Sequence, residues 1–335
     1  MIVDPFLTAA YVSSYVPCLQ NDENDPKHLK ISACCKHYVA YSLENYDDVD
    51  RHHFDANVTA QDMADTYLPA FEACASPSQG AGSCIMCSYN SVNGVPVCAS
   101  EEYLSLARQD WKFDGYITSD CGAVEDVYNT HFYAKTPNDA VADVLKAGMD
   151  TECGQFFEYN LKAAYDAGAI DEEHIDRALS HLFRVHMRLG RFDKNTSFNE
   201  IGLDVINSDA HQELAREAAR QSIVLLKNLN NEALPLSVDD LSNGGGGGLA
   251  VIGPNADAPK TMLGNYEGIP PYIITPLHGL QDIAGVENVH FSLGCDISKV
   301  SDEGFADAVS IVTQASAVIM IMGIDQSQES EGHDR

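Results

Sequence analysis

Cations are scarce in this chain. Its 20 lysines and arginines stand against 50 aspartates and glutamates, a formal net charge of −30 over 335 residues. A surface that acidic repels phosphate backbones and anionic headgroups, which excludes nucleic acid and anionic membranes as partners. Long apolar runs are missing as well. None approaches the roughly 18–20 residues of a membrane span. Met1 runs straight into Ile2-Val3-Asp4-Pro5, with neither a basic start nor a cleavage site, so no signal peptide is read in this chain. No second Cys-x-x-Cys follows Cys84-x-x-Cys87, which removes the usual zinc spacing. No Lys-Ser or Lys-Thr follows the Gly244–Gly248 run, so that run is not a phosphate loop. No metal and no cofactor is expected.

What is there is ordinary for a globular protein: 45% hydrophobic and 21% charged residues. The length exceeds what one hydrophobic core serves, so two domains are expected. An acidic surface keeps a protein soluble and does not repel a neutral polymer such as a glycan. Ten cysteines are many for this length. Cys84 and Cys87 lie inside an apolar strand-like run and read as buried free thiols. Some of the others suit disulfides made in an oxidising compartment. Asn57-Val58-Thr59 and Asn195-Thr196-Ser197 are glycan acceptor triplets and fit the same secretory route.

Up to about Gly190 the pattern alternates helix and short apolar strand. Helices are expected near 6–20, 59–74 and 100–110, strands at Ile31–Tyr38, Cys84–Tyr89 and Gly115–Asp120. Met63, Tyr67, Ala70 and Phe71 share one face of the second helix at three-to-four spacing. Thr136-Pro137 opens a further helix, Thr as its cap and Pro in its first turn, ending near Gly148. Residues 191–210 carry little apolar periodicity and read as a linker. Beyond it, a helix at Ser208–Val224, a strand from Leu249, a helix at Asp302–Gln314 and a fully buried strand at Ala317–Ile324 alternate again. The glycine run reads as a flexible insert. Alternation of this kind predicts a parallel α/β architecture.

Ligands in such folds gather at the C-terminal ends of the strands. Three predicted strand ends carry Asp120, Lys36-His37 and Ser88-Tyr89-Asn90. A carboxylate, a cation with an imidazole, and a phenol with an amide suit a polyol, which needs donors, acceptors and an aromatic face. Each feature alone has a plainer reading. A Lys-His pair is commonly solvated, and an Asp after a strand commonly caps the next helix. Their joint placement favours a site.

Five ordered segments carry a more specific likeness: Lys36-His37-Tyr38-Val39-Ala40-Tyr41; Asp50-Arg51-His52-His53-Phe54-Asp55-Ala56; Met86-Cys87-Ser88-Tyr89-Asn90 with Asn93-Gly94; Gly115 to Gly122; and Ala147-Gly148-Met149-Asp150 with Cys153-Gly154. A sixth runs from Gly323 to Arg335. Together the chain resembles the glycoside hydrolase family 3 enzymes, in their β-xylosidase branch, along nearly its whole length.

The resemblance implies an α/β fold: a partial (β/α)8 TIM-type barrel (1–190), the linker (191–210), and a truncated three-layer α/β sandwich (211–335). It implies retaining hydrolysis of a terminal β-linked sugar. Asp120 matches the nucleophile. The acid/base comes from the second domain, where Glu329 is preferred as the first acidic position of its loop, with Glu331 as the alternative. Lys36, His37 and Arg51 match groups that bind ring hydroxyls, and Met86 and Tyr89 match a wall and a floor. Met86 reads equally well as a core residue of its strand. Cys121, directly after the nucleophile, separates the xylosidase and arabinofuranosidase branches from β-glucosidases, which usually carry Trp there. The expected substrate is a xylo-oligosaccharide or arabinoxylan-type glycan, with xylose ranked before arabinofuranose and glucose. The expected location is secreted or cell wall.

The family pattern is shortened here. Only about four of eight barrel strands are countable. A fragment, or an inert or glycan-binding remnant, therefore stands beside an active xylosidase as a reading. Cys121 and Cys153 each follow a strand of the implied barrel, one βα unit apart. Neighbouring strands lie about 4.8 Å apart, which permits a disulfide. A bridge beside Asp120 is expected, two separate buried thiols being the other reading.

Overall fold

Asp4 starts the first helix. Its carboxylate accepts from the Leu7 backbone N–H at 2.6 Å, and Pro5 occupies the first turn, where a missing N–H costs nothing. In the computed structural model, which describes residues 4–194, 196, 198–231, 233–239 and 247–335, this helix (α1, Pro5–Gln20) belongs to the first of two compact units divided after Val205. Most of the glycine run and Asn195 of the second acceptor triplet lie outside the described residues.

The first unit is built on four parallel strands: β1 (Cys34–Tyr38), β2 (Cys84–Cys87), β3 (Tyr116–Cys121) and β4 (Thr151–Cys153). They lie side by side in chain order. Cys34 pairs with Cys84, Cys84 with Tyr116, and Cys121 with Cys153. Helical segments cross between strands, as parallel pairing requires. α2 (Leu68–Ala75) links β1 to β2, and α3 (Ala123–Asn129) with α4 (Pro137–Ala147) link β3 to β4. After β4 come α5 (Phe156–Asp166) and α6 (Glu172–Arg188). Thr136 caps α4 through the Asp139 N–H, and Gly148 closes it at φ +117°.

The helix expected over 59–74 is less regular than its periodicity implies. Residues Ala60–Asp62 are α-helical, Met63–Tyr67 form a π segment, and α2 then resumes. Pro69 explains the change: it has no N–H for the carbonyl one turn back, and a π-bulge accommodates that defect. The expected apolar face survives, with Met63 buried and Tyr67 and Phe71 packed on the core.

Tyr38, Ile85 and Ile117, one from each of three strands, are fully buried. Burying each such side chain contributes roughly 1.5–3 kcal/mol. The Tyr38 hydroxyl is satisfied by donating to the Tyr103 carbonyl at 2.9 Å, while its ring meets Phe71 and Trp111 edge-on. Gly115 stands where a Cβ would come within 2.2 Å of the Ser83 carbonyl, so only glycine admits β3 beside β2. Gln20 is buried as well. Its carbonyl accepts from the Ala33 and Ser83 backbones, tying α1 to the starts of two strands.

Four disulfides cross-link this unit: Cys34–Cys84, Cys35–Cys74, Cys87–Cys98 and Cys121–Cys153. Cys84 and Cys87 are therefore not the free thiols their apolar setting implied. Cys84 meets Cys34 across the paired strands, 50 positions away, and Cys87 meets Cys98, 11 positions on. Cys18 and Cys295 remain free.

The second unit opens with α7 (Asp209–Ser222), capped by Ser208. Among its described residues three strands, β5 (Leu249–Ile252), β6 (Val289–Ser292) and β7 (Ala317–Met320), are parallel, with β5 central. α8 (Pro276–Ala284) precedes β6, and α9 (Phe305–Val312) joins β6 to β7. β5 is buried throughout. β7, expected to be fully buried, leaves Val318 and Met320 exposed. It is an edge strand, covered among the described residues on one face only, so alternate side chains meet solvent.

Candidate active site

Asp120, the penultimate residue of β3, is almost fully buried, at 7% exposure. Its Oδ1 accepts from the Cys121 N–H at 2.8 Å, and its Oδ2 lies 3.4 Å from Nε2 of His37. The carboxylate is thus fixed at one oxygen and faces an imidazole with the other. Gly122, at φ +90°, turns the chain directly into α3. Cys121 is bridged to Cys153 with Cα atoms 4.3 Å apart, so the expected disulfide beside Asp120 is present.

β1 supplies Lys36, exposed, and His37, partly buried. The Lys36–His37 peptide is cis. β2 supplies Met86, half-buried and in register with Thr118, two residues before Asp120. Just past β2, Tyr89 is buried. The Arg51 guanidinium sits over the Tyr89 ring at 4.9 Å, a favourable cation–π geometry. Arg51 also pairs with Glu44 at 3.3 Å. Tyr41 donates to Glu44 at 2.8 Å and meets His37 edge-on at 5.1 Å. Burial, and then the bond to Glu44, push the Tyr41 phenol well above its ordinary range, so it acts as a neutral donor. The strand ends therefore bring Asp120 and His37 into contact, and a chain of contacts through Tyr41 joins His37 to Arg51 and Tyr89.

Two residues drawn from the likeness, Glu329 and Glu331, belong to the second unit. Glu329 pairs with Arg335 at 3.5 Å, and Glu331 accepts from Asn265 at 2.6 Å and the Tyr266 hydroxyl at 3.1 Å.

Sequence reasoning missed several polar residues here. Tyr41 and His52 stand inside segments that carry the likeness but were given no role, and Glu44, Asp126 and His131 were not singled out. His52 Nδ1 meets Asp126 at 2.7 Å, and His131 meets the Tyr89 carbonyl at 2.8 Å. The adjacent Arg51-His52-His53 was a signal, but nothing in its spacing points to Asp126, 74 positions away. Further back, Asp150 is buried and accepts from Arg108, from the Ile117 N–H at 2.8 Å and from His181 at 2.8 Å. It anchors β3 from behind. Glu152, on β4, accepts from the Phe157 N–H at the start of α5, and burial raises its pKa.

A parallel sheet with a buried carboxylate near a strand end, beside an imidazole and an aromatic ring, defines an α/β protein with a polar site suited to a polyol. Comparison makes the family specific. Residues 3–185 match the glycosyl hydrolase family 3 N-terminal domain, and residues 223–335 match the glycosyl hydrolase family 3 C-terminal domain. The chain belongs to glycoside hydrolase family 3. Probable beta-D-xylosidase 7 of Arabidopsis thaliana is 46% identical, over 99% of this chain and 43% of its own length. Beta-xylosidase/alpha-L-arabinofuranosidase 2 of Medicago sativa subsp. varia is 41% identical, over 99% of this chain and 42% of its own length. A solved family 3 exo-beta-xylosidase in complex with a xylobiose aziridine probe superposes with a TM-score of 0.89 at 37% identity, covering 99% of this chain and 42% of that one. The chain thus spans under half the length of the relatives it matches. Among the described residues no helix is long and apolar enough to cross a membrane.

Proposed function

We propose that the chain carries the chemistry of a retaining, exo-acting β-xylosidase. The observation behind this reading is the buried Asp120 carboxylate, held at one oxygen by the Cys121 N–H and facing His37 with the other. In the first step the Asp120 oxygen that faces His37 attacks the anomeric carbon, whose bond to the leaving oxygen breaks. That oxygen takes the proton of Glu329. The product is a glycosyl ester on Asp120. In the second step the Glu329 carboxylate takes a proton from water. The hydroxide attacks the anomeric carbon, the ester breaks, and xylose leaves. Glu331 is the alternative for the acid/base role. Both carboxylates are engaged, Glu331 by Asn265 and Tyr266 and Glu329 by Arg335, and Glu329 is preferred as the first acidic position of the loop.

Lys36, His37 and Arg51 bind sugar hydroxyls, while Tyr89 and Met86 form floor and wall. Cys121, bridged to Cys153, closes the side of a pentose site that needs no room for a hydroxymethyl arm. The xylosidase names of the relatives support xylose over glucose, and the Medicago name supports arabinofuranose as the second substrate. Xylo-oligosaccharides and arabinoxylan are the proposed glycans. Four parallel strands in chain order support an arc of a (β/α)8-type barrel over 1–190, followed by a linker and an α/β sandwich from 211. Four disulfides and the exposed Asn57 triplet support a secreted or cell-wall location within xylan breakdown.

The test is covalent trapping. A 2-fluoro-β-xylosyl fluoride should leave a glycosyl adduct on the peptide containing Asp120, read by mass spectrometry. An adduct on another residue, or none with the chain folded, would overturn the assignment.

A further inference from the structure

Tyr89 is held from two sides by histidines that the proposed reaction does not use. The His52 ring lies 4.4 Å from the Tyr89 ring, on the same segment that brings Arg51 over that ring at 4.9 Å. His131 meets the Tyr89 carbonyl at 2.8 Å through Nε2 and the Ser91 hydroxyl at 3.1 Å through Nδ1. Both histidines lead back to one residue, His52 to the buried Asp126 carboxylate and His131 to the Asp126 backbone carbonyl. Asp126, on α3, takes His52 Nδ1 on Oδ2 at 2.7 Å and the Thr130 hydroxyl on Oδ1 at 2.7 Å. Its backbone carbonyl accepts from the His131 N–H at 2.8 Å. The helix carrying Asp126 begins just after Asp120-Cys121-Gly122. Backbone pairing of Asp55 with Ser91 already joins the His52 and Tyr89 segments, and Asp126 ties α3 to both through His52 and His131.

We infer that Asp126 and His52 are a positioning pair that sets the Tyr89 ring and the Arg51 guanidinium for the sugar. This rests on the proposed subsite and adds to it two residues that touch no substrate. An aromatic platform and a fork of N–H donors bind a sugar only in one relative placement, and displacements of about 1 Å cost up to a hundredfold in well-oriented sites. The charges facing His52 are Asp126 from α3 and Asp50 and Arg51 from its own segment; His131 is the titratable group behind Tyr89. The bond to Asp126 raises the His52 pKa against the opposing effects of burial and Arg51.

The experiment uses the whole chain and methyl β-D-xyloside. Ring signals of His52 and Tyr89 are followed by NMR as pH and sugar are varied. Asp126→Ala should lower the His52 pKa, move the Tyr89 ring signals and weaken binding about tenfold, or about 1.4 kcal/mol. Asp126→Asn keeps an acceptor and should recover most of the affinity while still lowering that pKa. His174→Asn, in a comparable exposed pair with Asp171, serves as control and should change none of these. Unchanged Tyr89 signals in a folded Asp126→Ala chain would overturn the inference. If the unaltered chain binds no xyloside, the subsite reading falls, and the positioning pair is then judged on the Tyr89 signals alone.

Discussion

The two units use the same parallel α/β architecture and are held together differently. The first has all four disulfides and a continuous core running from Tyr38 to Met149. The second has no disulfide among its described residues and a core built around Leu249, Val251, Ala256, Leu277, Ala284 and Val289. In the chain-entropy picture each of the four bridges removes roughly 3–4 kcal/mol of unfolded-state freedom. The rigid unit is the one that carries the buried carboxylate, the imidazole and the aromatic platform. The glutamates proposed for proton transfer sit instead on an exposed loop of the lightly held unit. Attack on an anomeric carbon demands a nucleophile fixed to a fraction of an ångström, whereas a proton donor tolerates a looser mount.

Breaking that comparison at its strongest point means removing the nucleophile. Asp120→Asn keeps the shape but cannot attack, and xylose release from an aryl β-xyloside, measured in full-length context, should fall on the order of 10⁴-fold or more. Retained sugar binding, followed by NMR, shows that the first unit is still folded. In the second unit, Glu329→Ala should cost about 10²–10⁴-fold on substrates with poor leaving groups. The loss should be small with an activated aryl leaving group, and azide should restore turnover. If Glu331→Ala shows that pattern instead, the roles within the loop exchange and the contrast between units stands.

Stability sharpens the comparison next. Joint Cys34→Ser and Cys84→Ser replacement should destabilise the first unit by about 2–5 kcal/mol. At roughly 2–4 °C per kcal/mol for a unit of this size, its calorimetric transition should drop by about 4–20 °C. The transition of the second unit should stay in place with or without reductant. The smallest expected effect is pH-dependent and again confined to the first unit. The folded His52 pKa is raised by Asp126, so the stability from that pair is fully present below pH 6.5 and is lost as pH rises through the raised value. Urea titrations on either side of that window should show the loss, and Asp126→Asn should flatten it.

Much of the fold was legible in the sequence. Alternating helix and strand signals located α1, β1, β2, β3 and α4 to within a few residues, because Thr136, Pro137 and Gly148 act locally. What was not legible depends on contacts between distant segments. Cys34 and Cys84 are 50 residues apart, and only the pairing of their strands reveals the bridge. Cys121 and Cys153 could be read because their strands were expected to be neighbours. The exposure of Val318 and Met320 depends on what packs on each face of β7, which no strand propensity encodes. In the site, Asp120 and His37 were visible as strand ends, while His52 and Asp126 reach each other through a loop whose path the sequence does not specify.

The pairing of the cysteines carries a consequence for biogenesis. The bridges span 50, 39, 11 and 32 positions, and each closes within the first 153 residues. A chain emerging N-terminus first can oxidise Cys35 with Cys74, then Cys34 with Cys84, Cys87 with Cys98 and Cys121 with Cys153, in the order in which the partners appear. None of these bonds waits for the second unit to be synthesised, so the platform around Asp120 can be covalently complete while the segment bearing Glu329 is still being made.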